Sequence, residues 1–273
     1  MGIPAGPTRP TDAALAAFGA RGDPVPLPGG RGTTWRAGDL VLKRADLAPD
    51  EHAWQAEVLP TIRTDGTRIP LPRRAIDGSL VVDGWAASTY LVGEHRAARW
   101  AEIIRIGERF HAALADLARP AFIATRTNPW SIGDRVAWGE APVEPYLGVP
   151  HVGRLAEVLR PIDEPSQLIQ GDLTGNVLFD DSLPPAVIDL SLYWRPTAFA
   201  SAVVVADALV WEGADATLPR AVDHVDRFGQ YLARALIYRL VAAVEGDFEP
   251  DRDEFEARYR PAVELALEFA SRE

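Results

Sequence analysis

Gln170-Gly171-Asp172-Leu173-Thr174-Gly175-Asn176-Val177-Leu178-Phe179, followed by Ala186-Val187-Ile188-Asp189-Leu190, is the stretch from which this chain is best read. Val177-Leu178-Phe179 and Ala186-Val187-Ile188 are short, apolar and β-prone, and Asp180-Asp181-Ser182-Leu183-Pro184-Pro185 between them is a run of turn formers. Two such runs joined by a turn predict a hairpin. Asp172 and Asn176 then lie on the loop entering it and Asp189 at its exit, so polar groups at strand ends converge on one point. A carboxylate, a carboxamide and a second carboxylate are oxygen donors. They suit magnesium, which keeps some waters and takes its other ligands from carboxylates and substrate phosphates. Singly, Asp and Asn are ordinary turn residues. The complete string with the downstream Ile188-Asp189 carries the reading.

In order and spacing these residues resemble the catalytic and metal-binding segments of the aminoglycoside phosphotransferase family, within the larger protein-kinase-like group. Phosphoryl transfer from Mg-ATP uses one acid to orient a hydroxyl nucleophile and an Asn and an Asp to hold magnesium against the phosphates. The resemblance therefore implies Asp172 as the catalytic residue and Asn176 and Asp189 as metal ligands. Two departures stand out. The family has His where this chain has Gln170, a loop support whose hydrogen bonds Gln replaces. It also has one more residue between Asp and Asn, and here Gly175 supplies the tighter turn.

The chain has 273 residues, 47% of them hydrophobic, enough for a substantial core in one large domain or two lobes. A formal charge of -11 argues against a general nucleic-acid or anionic-membrane binder, since both demand a basic surface. There is no cysteine, which excludes disulfides, thiolate catalysis and Cys-ligated zinc and fits a reducing cytoplasm. The N-terminus shows no basic region followed by an apolar run, so no signal peptide is expected. The longest apolar stretch, 198–211, contains Asp207 and is too short to span a bilayer.

Along the chain, Thr11 is a good N-cap for a short helix over 13–18. Strands are expected at 24–27, within 35–43 on either side of a tight turn, and near 71–76 and 80–82. A helix is expected over 49–62. From about Ala97 the pattern becomes helical. Trp100, Ile103, Ile104, Gly107, Phe110, His111, Leu114 and Leu117 form one long amphipathic face. Residues 128–150, rich in Trp, Pro and Gly, read as a loop with short elements. Helices follow near 199–211, 218–244 and 253–271. The expected class is α+β, a bilobal protein-kinase-like fold. Its strand-rich N-lobe would span 1–92 and its mainly helical C-lobe 93–273.

The resemblance extends through the N-terminal third. Gly29, Gly30 and Gly32 form a turn between two strands, where backbone amides approach phosphates closely; Gly-rich hairpin turns are common in their own right. Lys43 ends an apolar strand and resembles the lysine that contacts the α- and β-phosphates. Its carboxylate partner on the next helix is expected to be Glu57, with Glu51 as the alternative. Thr89 and Leu91 fall where the family's hinge meets adenine. Trp130, Trp138 and Trp194 fall on the presumed substrate side, and Arg195 is placed to meet a phosphate or an ordinary salt-bridge partner. The chain is also similar to an actinobacterial branch of the group, through Gly-Gly-Arg-Gly-Thr-Thr-Trp-Arg-Ala-Gly-Asp and the 170–179 string.

These features together imply a cytoplasmic, ATP- and magnesium-dependent phosphotransferase acting on a hydroxyl of a small molecule. Two alternatives share the fold: a catalytically degenerate nucleotide-binding or regulatory module, and an enzyme that transfers AMP rather than phosphate.

Overall fold

A computed structural model describes residues 9–28, 32–248 and 251–273. The chain forms two compact units. One runs to Glu94 and takes in Asp180–Ile188, and the other comprises His95–Phe179 and Asp189–Glu273. The sequence division at 92/93 leaves 180–188 with the helical part, whereas in the structure this segment belongs to the first unit. Arg68 holds it there. The Arg68 amide donates to the Pro185 carbonyl (2.8 Å), its carbonyl accepts from Val187 (2.8 Å), and its Nε donates to the Pro184 carbonyl (2.7 Å).

The first unit runs α1 (Asp12–Ala17), β1 (Val25–Pro26), β2 (Thr34–Ala37), β3 (Leu40–Arg44), α2 (Pro49–Val58), β4 (Pro72–Arg73), β5 (Val81–Val82) and β6 (Trp85–Thr89). The strands form one antiparallel sheet in the order β1-β2-β3-β6-β4, with β5 also on β6. Alternation builds its core: Leu40 and Leu42 point inward and meet Trp85 and Ala87 from β6 and Ala14 and Phe18 from the α1 region. Thr11 caps α1 by accepting from the Ala14 amide at 3.1 Å. Gly38, at φ 64°, makes the two-residue turn between β2 and β3. A Cβ there would lie 2.9 Å from the Arg21 carbonyl oxygen.

The remaining elements are α3 (Trp100–Leu114), α4 (Phe122–Thr125), α5 (Pro129–Ala137), α6 (Val152–Val158), β7 (Gln167–Gln170), β8 (Val177–Leu178), β9 (Ala186–Val187, in the first unit), β10 (Leu192–Arg195), α7 (Ala198–Trp211), α8 (Phe228–Gly246) and α9 (Arg252–Ser271). Helices α7 and α8 are apolar almost all round and are correspondingly buried. Among the described residues no helix is long and apolar enough to cross a membrane.

Two expected boundaries differ. Within 128–150, expected as a loop with short elements, residues 129–137 form a nine-residue helix: Asn128 accepts from the Ser131 amide at 2.9 Å and Pro129 occupies the first turn, a strong start signal inside a loop-like composition. The expected helix over 218–244 is instead a 3-10 turn at Leu218–Val222 followed by α8 from Phe228.

Gly133 marks the close approach of α5 to α8, since a Cβ there would sit 2.4 Å from the Tyr238 carbonyl oxygen and 3.2 Å from the Ala242 nitrogen. Backbone atoms cannot swing aside as a side-chain tip can. We expect Gly133→Ala to destabilise the protein by about 1–3 kcal/mol in urea unfolding. An unchanged midpoint would show that the two helices have slack.

Candidate active site

The site is built outward from β7. It pairs antiparallel with β10, Gln170 opposite Leu192, which brings the loop after β7 beside the turn before β10. Gln170 is fully buried, and its carboxamide joins the two. Nε2 donates to the Asp172 carbonyl (2.9 Å) and the Asp189 carbonyl (3.2 Å), and Oε1 accepts from the Ser191 amide (2.5 Å). Gly171 adds its own amide to the Ser191 carbonyl (2.9 Å). It has to be glycine, because a Cβ would lie 2.4 Å from the Tyr193 ring. Gln170 therefore has the loop-supporting role expected of it.

His111 on α3 supports Gln170 in turn, its Nε2 accepting from the Gln170 amide at 3.1 Å. A ring nitrogen that accepts fixes the neutral tautomer with the proton on Nδ1, and Nδ1 has no partner among the described residues. Burial pushes the imidazole pKa down to about 4, against the smaller opposing effect of the Gln170 bond.

The short loop after β7 closes on itself. The Asn176 amide donates to the Leu173 carbonyl (3.0 Å), with Gly175 at φ 73° turning the chain. The Asn176 carboxamide then donates to the Asp172 carbonyl (2.9 Å) and to Asp172 Oδ2 (3.2 Å). Asp172 and Asn176 are thus brought together. Asp189 is exposed and sits at φ 47°, the left-handed region that Asp tolerates better than most residues. Strained backbone of this kind clusters at functional sites.

Sequence reasoning missed Arg239 and Asp207. Arg239 Nη2 lies 2.6 Å from Asp172 Oδ1 and 2.6 Å from Asp207 Oδ2, while its Nε donates to Asp207 Oδ1 at 2.8 Å. Burial opposes the charge on Arg239, but Asp207, Tyr238 and Asp172 together outweigh it, and the guanidinium titrates well above its ordinary value. Burial raises the Asp207 carboxyl against the pull of Arg239; the paired bonds are those of an ion pair. A signal existed: Asp207 is the lone charge in α7, and a buried charge demands a partner.

In the first unit, Gly29 and Gly30 lie outside the described residues; Gly32 has φ 70°. Lys43 pairs with Ala86 and Thr34 in the sheet, and its ammonium lies 3.6 Å from Asp46. On α2, Glu57 is exposed, whereas Glu51 is 1% exposed. The Thr89 amide is committed to the Leu71 carbonyl (2.9 Å), and the Thr89 hydroxyl accepts from the Leu71 amide (2.9 Å); Leu91 is half-buried. Back in the helical unit, Arg195 is buried and bonded twice to Asp134 (2.9 and 2.7 Å) and once to Glu140 (2.5 Å), so it ties β10 to α5 rather than meeting a ligand. Trp138 packs edge-on against Phe199 in the core.

Asn176 and Asp189 carry oxygen donors of the kind magnesium takes, and with Asn176 Nδ2 turned to Asp172 its Oδ1 points elsewhere. Among the described residues no group of three or more His, Asp or Glu is arranged to hold a metal. A small protein ligand set is what magnesium takes when phosphate and water supply the rest.

Replacing Arg239 by Ala leaves Asp207 buried and unpaired, and we expect a loss of about 3–5 kcal/mol in urea unfolding, largely regained in Asp207→Leu/Arg239→Met. If the single variant is as stable as the parent, the buried pair is not holding α7 to α8. His111 gives a second prediction. Its folded pKa is depressed below the unfolded 6.5, so its contribution is full above pH 6.5 and is lost as pH falls toward 4, by about 3 kcal/mol in all. The urea-unfolding difference between the parent and His111→Gln should shrink over that window; a pH-independent difference contradicts a buried neutral imidazole.

No family model and no curated protein matches the chain. Solved structures do. An aminoglycoside phosphotransferase from Alicyclobacillus acidocaldarius superposes with a TM-score of 0.58 at 15% identity, over 100% of this chain and 96% of that one. The aminoglycoside phosphotransferase APH(4)-Ia, a thermostable mutant in ternary complex with AMP-PNP and hygromycin B, gives 0.61 at 14% identity, over 94% and 97%. Spectinomycin phosphotransferase APH(9)-Ia, with ADP and spectinomycin, gives 0.51 at 10%, over 90% and 92%. At these identities the likeness is one of fold: the β-rich N-terminal and mainly helical C-terminal regions of this chain have the bilobal protein-kinase-like architecture.

Proposed function

We propose that the protein is an ATP- and magnesium-dependent phosphotransferase acting on a hydroxyl of a small molecule. The observation that carries this reading is the joined pair Asp172–Asn176, on a loop that Gln170 ties to the main chain of Asp189. Asp172 orients the acceptor hydroxyl and takes its proton as the oxygen bonds to the γ-phosphorus and the bond to the ADP oxygen breaks. Asn176 and Asp189 would hold magnesium, which would neutralise charge on the phosphates. In the first unit, Lys43 and Gly32 would contact the phosphates, and the main chains of Thr89 and Leu91 would meet the adenine edge. The helix carboxylate orienting Lys43 is Glu57 or Glu51, and burial favours Glu51. Catalysis is then mostly alignment and charge neutralisation. The similarity to an actinobacterial branch names no acceptor, and the cysteine-free composition suits a cytoplasmic setting.

One observation favours the second reading, a nucleotide-binding module without transfer: both carboxylate oxygens of Asp172 are already engaged, by Arg239 and by Asn176. Turnover separates the two. With Mg-ATP and a panel of hydroxylated small molecules scored by ADP release, we expect an acceptor-dependent rate. Asp172→Asn should lower it about 10²–10⁴-fold with nucleotide affinity nearly unchanged. Asp189→Ala should weaken nucleotide binding only when magnesium is present. Undiminished turnover in Asp172→Asn removes that residue from its role, and unaltered magnesium dependence in Asp189→Ala removes the other.

A further inference from the structure

The ion pair between α7 and α8 reaches a third group. Arg239 gives Nε to Asp207 Oδ1 (2.8 Å) and one Nη2 hydrogen to Asp207 Oδ2 (2.6 Å). Two parallel bonds of this kind fix the plane of the guanidinium. The second Nη2 hydrogen then has one direction left, and it ends on Asp172 Oδ1 at 2.6 Å. Nη1 lies 3.4 Å from the Tyr238 hydroxyl, which meets the Tyr193 hydroxyl at 3.2 Å. Tyr193 packs so closely on Gly171 that a Cβ there would lie 2.4 Å from its ring. These contacts therefore return to the loop after β7, at the residue beside Asp172.

Three observations bear on the purpose of the bond to Asp172. A buried ion pair adds little stability over an apolar pair of similar volume, because desolvation offsets the attraction. Asp172 is the exposed member of the trio, with 35% of its side chain accessible against 10% for Arg239 and 6% for Asp207, so it stays within reach of a ligand. An ionised carboxylate also has about four lone-pair sites. Arg239 takes one on Oδ1 and Asn176 one on Oδ2, at 3.2 Å, so both oxygens are held and each keeps a site for a hydroxyl. Asp207 takes two of the three bonds that Arg239 makes to carboxylates. Asp172 is thereby held without being neutralised.

We propose that Arg239 is a positioning residue for phosphoryl transfer, aimed by Asp207. The inference rests on the phosphotransferase reading, in which Asp172 takes the proton of the acceptor hydroxyl as its oxygen bonds to the γ-phosphorus and the bond to the ADP oxygen breaks. Arg239 touches none of the reacting atoms. It holds the Asp172 carboxylate in one rotational orientation, with Asn176 as the second stop. A misplacement of about 1 Å costs roughly 10²-fold in rate.

The test is a double-mutant cycle on the full chain. ADP release from Mg-ATP is followed with water and glycerol as the hydroxyls, and Mg-ATP affinity by calorimetry. Asp207→Leu/Arg239→Met replaces the pair; a cavity of about 230 Å³ beside it, walled in part by Trp130, Trp211 and Phe248, gives the new side chains room. Arg239→Lys keeps a cation on Asp207 without the planar fork. Both are made with Asp172 intact and with Asp172→Asn. We expect the apolar pair to lower kcat about 10–100-fold with KM and affinity for Mg-ATP unchanged, and Arg239→Lys to lose less. In the Asp172→Asn background neither substitution has a further effect, because Arg239 acts only through Asp172. Should the apolar pair fail to fold, Arg239→Lys carries the same comparison. Undiminished kcat with Asp172 intact, or an equal fold-loss in both backgrounds, overturns the positioning role and leaves the phosphotransferase reading intact. A parent protein that binds Mg-ATP and releases no ADP overturns that reading and the positioning role with it.

Discussion

One buried carboxamide organises the candidate chemistry. Gln170 spends both of its amide hydrogens on carbonyls, those of Asp172 and Asp189, and its oxygen on the Ser191 amide. The two segments it joins are distant in sequence, and neither has regular structure at that point to hold it. Neutral hydrogen bonds contribute only about 0.5–1.5 kcal/mol each, but a buried group left without one costs about 1–3 kcal/mol. The clamp therefore acts more through the penalty for breaking it than through the gain from making it. An imidazole offers one nitrogen as donor and one as acceptor in its neutral form. A carboxamide offers two hydrogens and two lone pairs, enough to serve all three contacts at once.

Around this clamp the helical unit places charge where an apolar core would ordinarily refuse it. Asp207 and Arg239 sit on the two most buried helices, and their mutual bonds leave one guanidinium nitrogen to reach Asp172. Replacement of such pairs by apolar residues is often neutral or stabilising, so stability alone does not account for them. What the pair adds is the bond from Arg239 to Asp172. The same pair lines the aromatic cavity of the helical unit.

The closure of the loop after β7 was legible because its signals are local. Asp172, Gly175 and Asn176 lie within five residues, and a glycine at a forced turn explains how a shortened loop still closes. The antiparallel sheet was legible for the same reason: alternation at Leu40 and Leu42 and a glycine at the β2–β3 turn are short-range signals. Arg239 and Asp207 were not, because they are 32 residues apart and meet only through the packing of α7 on α8. The choice between Glu51 and Glu57 was equally hidden, since α2 has too little apolar contrast between its faces to show which side turns inward. Helix α5 was masked by Pro129 and Gly133, residues typical of loops that here serve as first turn and close contact.

The central proposal is that Asn176 and Asp189 hold magnesium against a nucleotide, with Asp172 left for the acceptor hydroxyl. Calorimetric titration of the intact chain with ATP, with and without magnesium, addresses it whatever molecule the acceptor is. The account predicts binding of one nucleotide per chain that is strengthened at least tenfold by magnesium. A folded protein that binds no ATP under either condition, or binds it equally in both, contradicts the account.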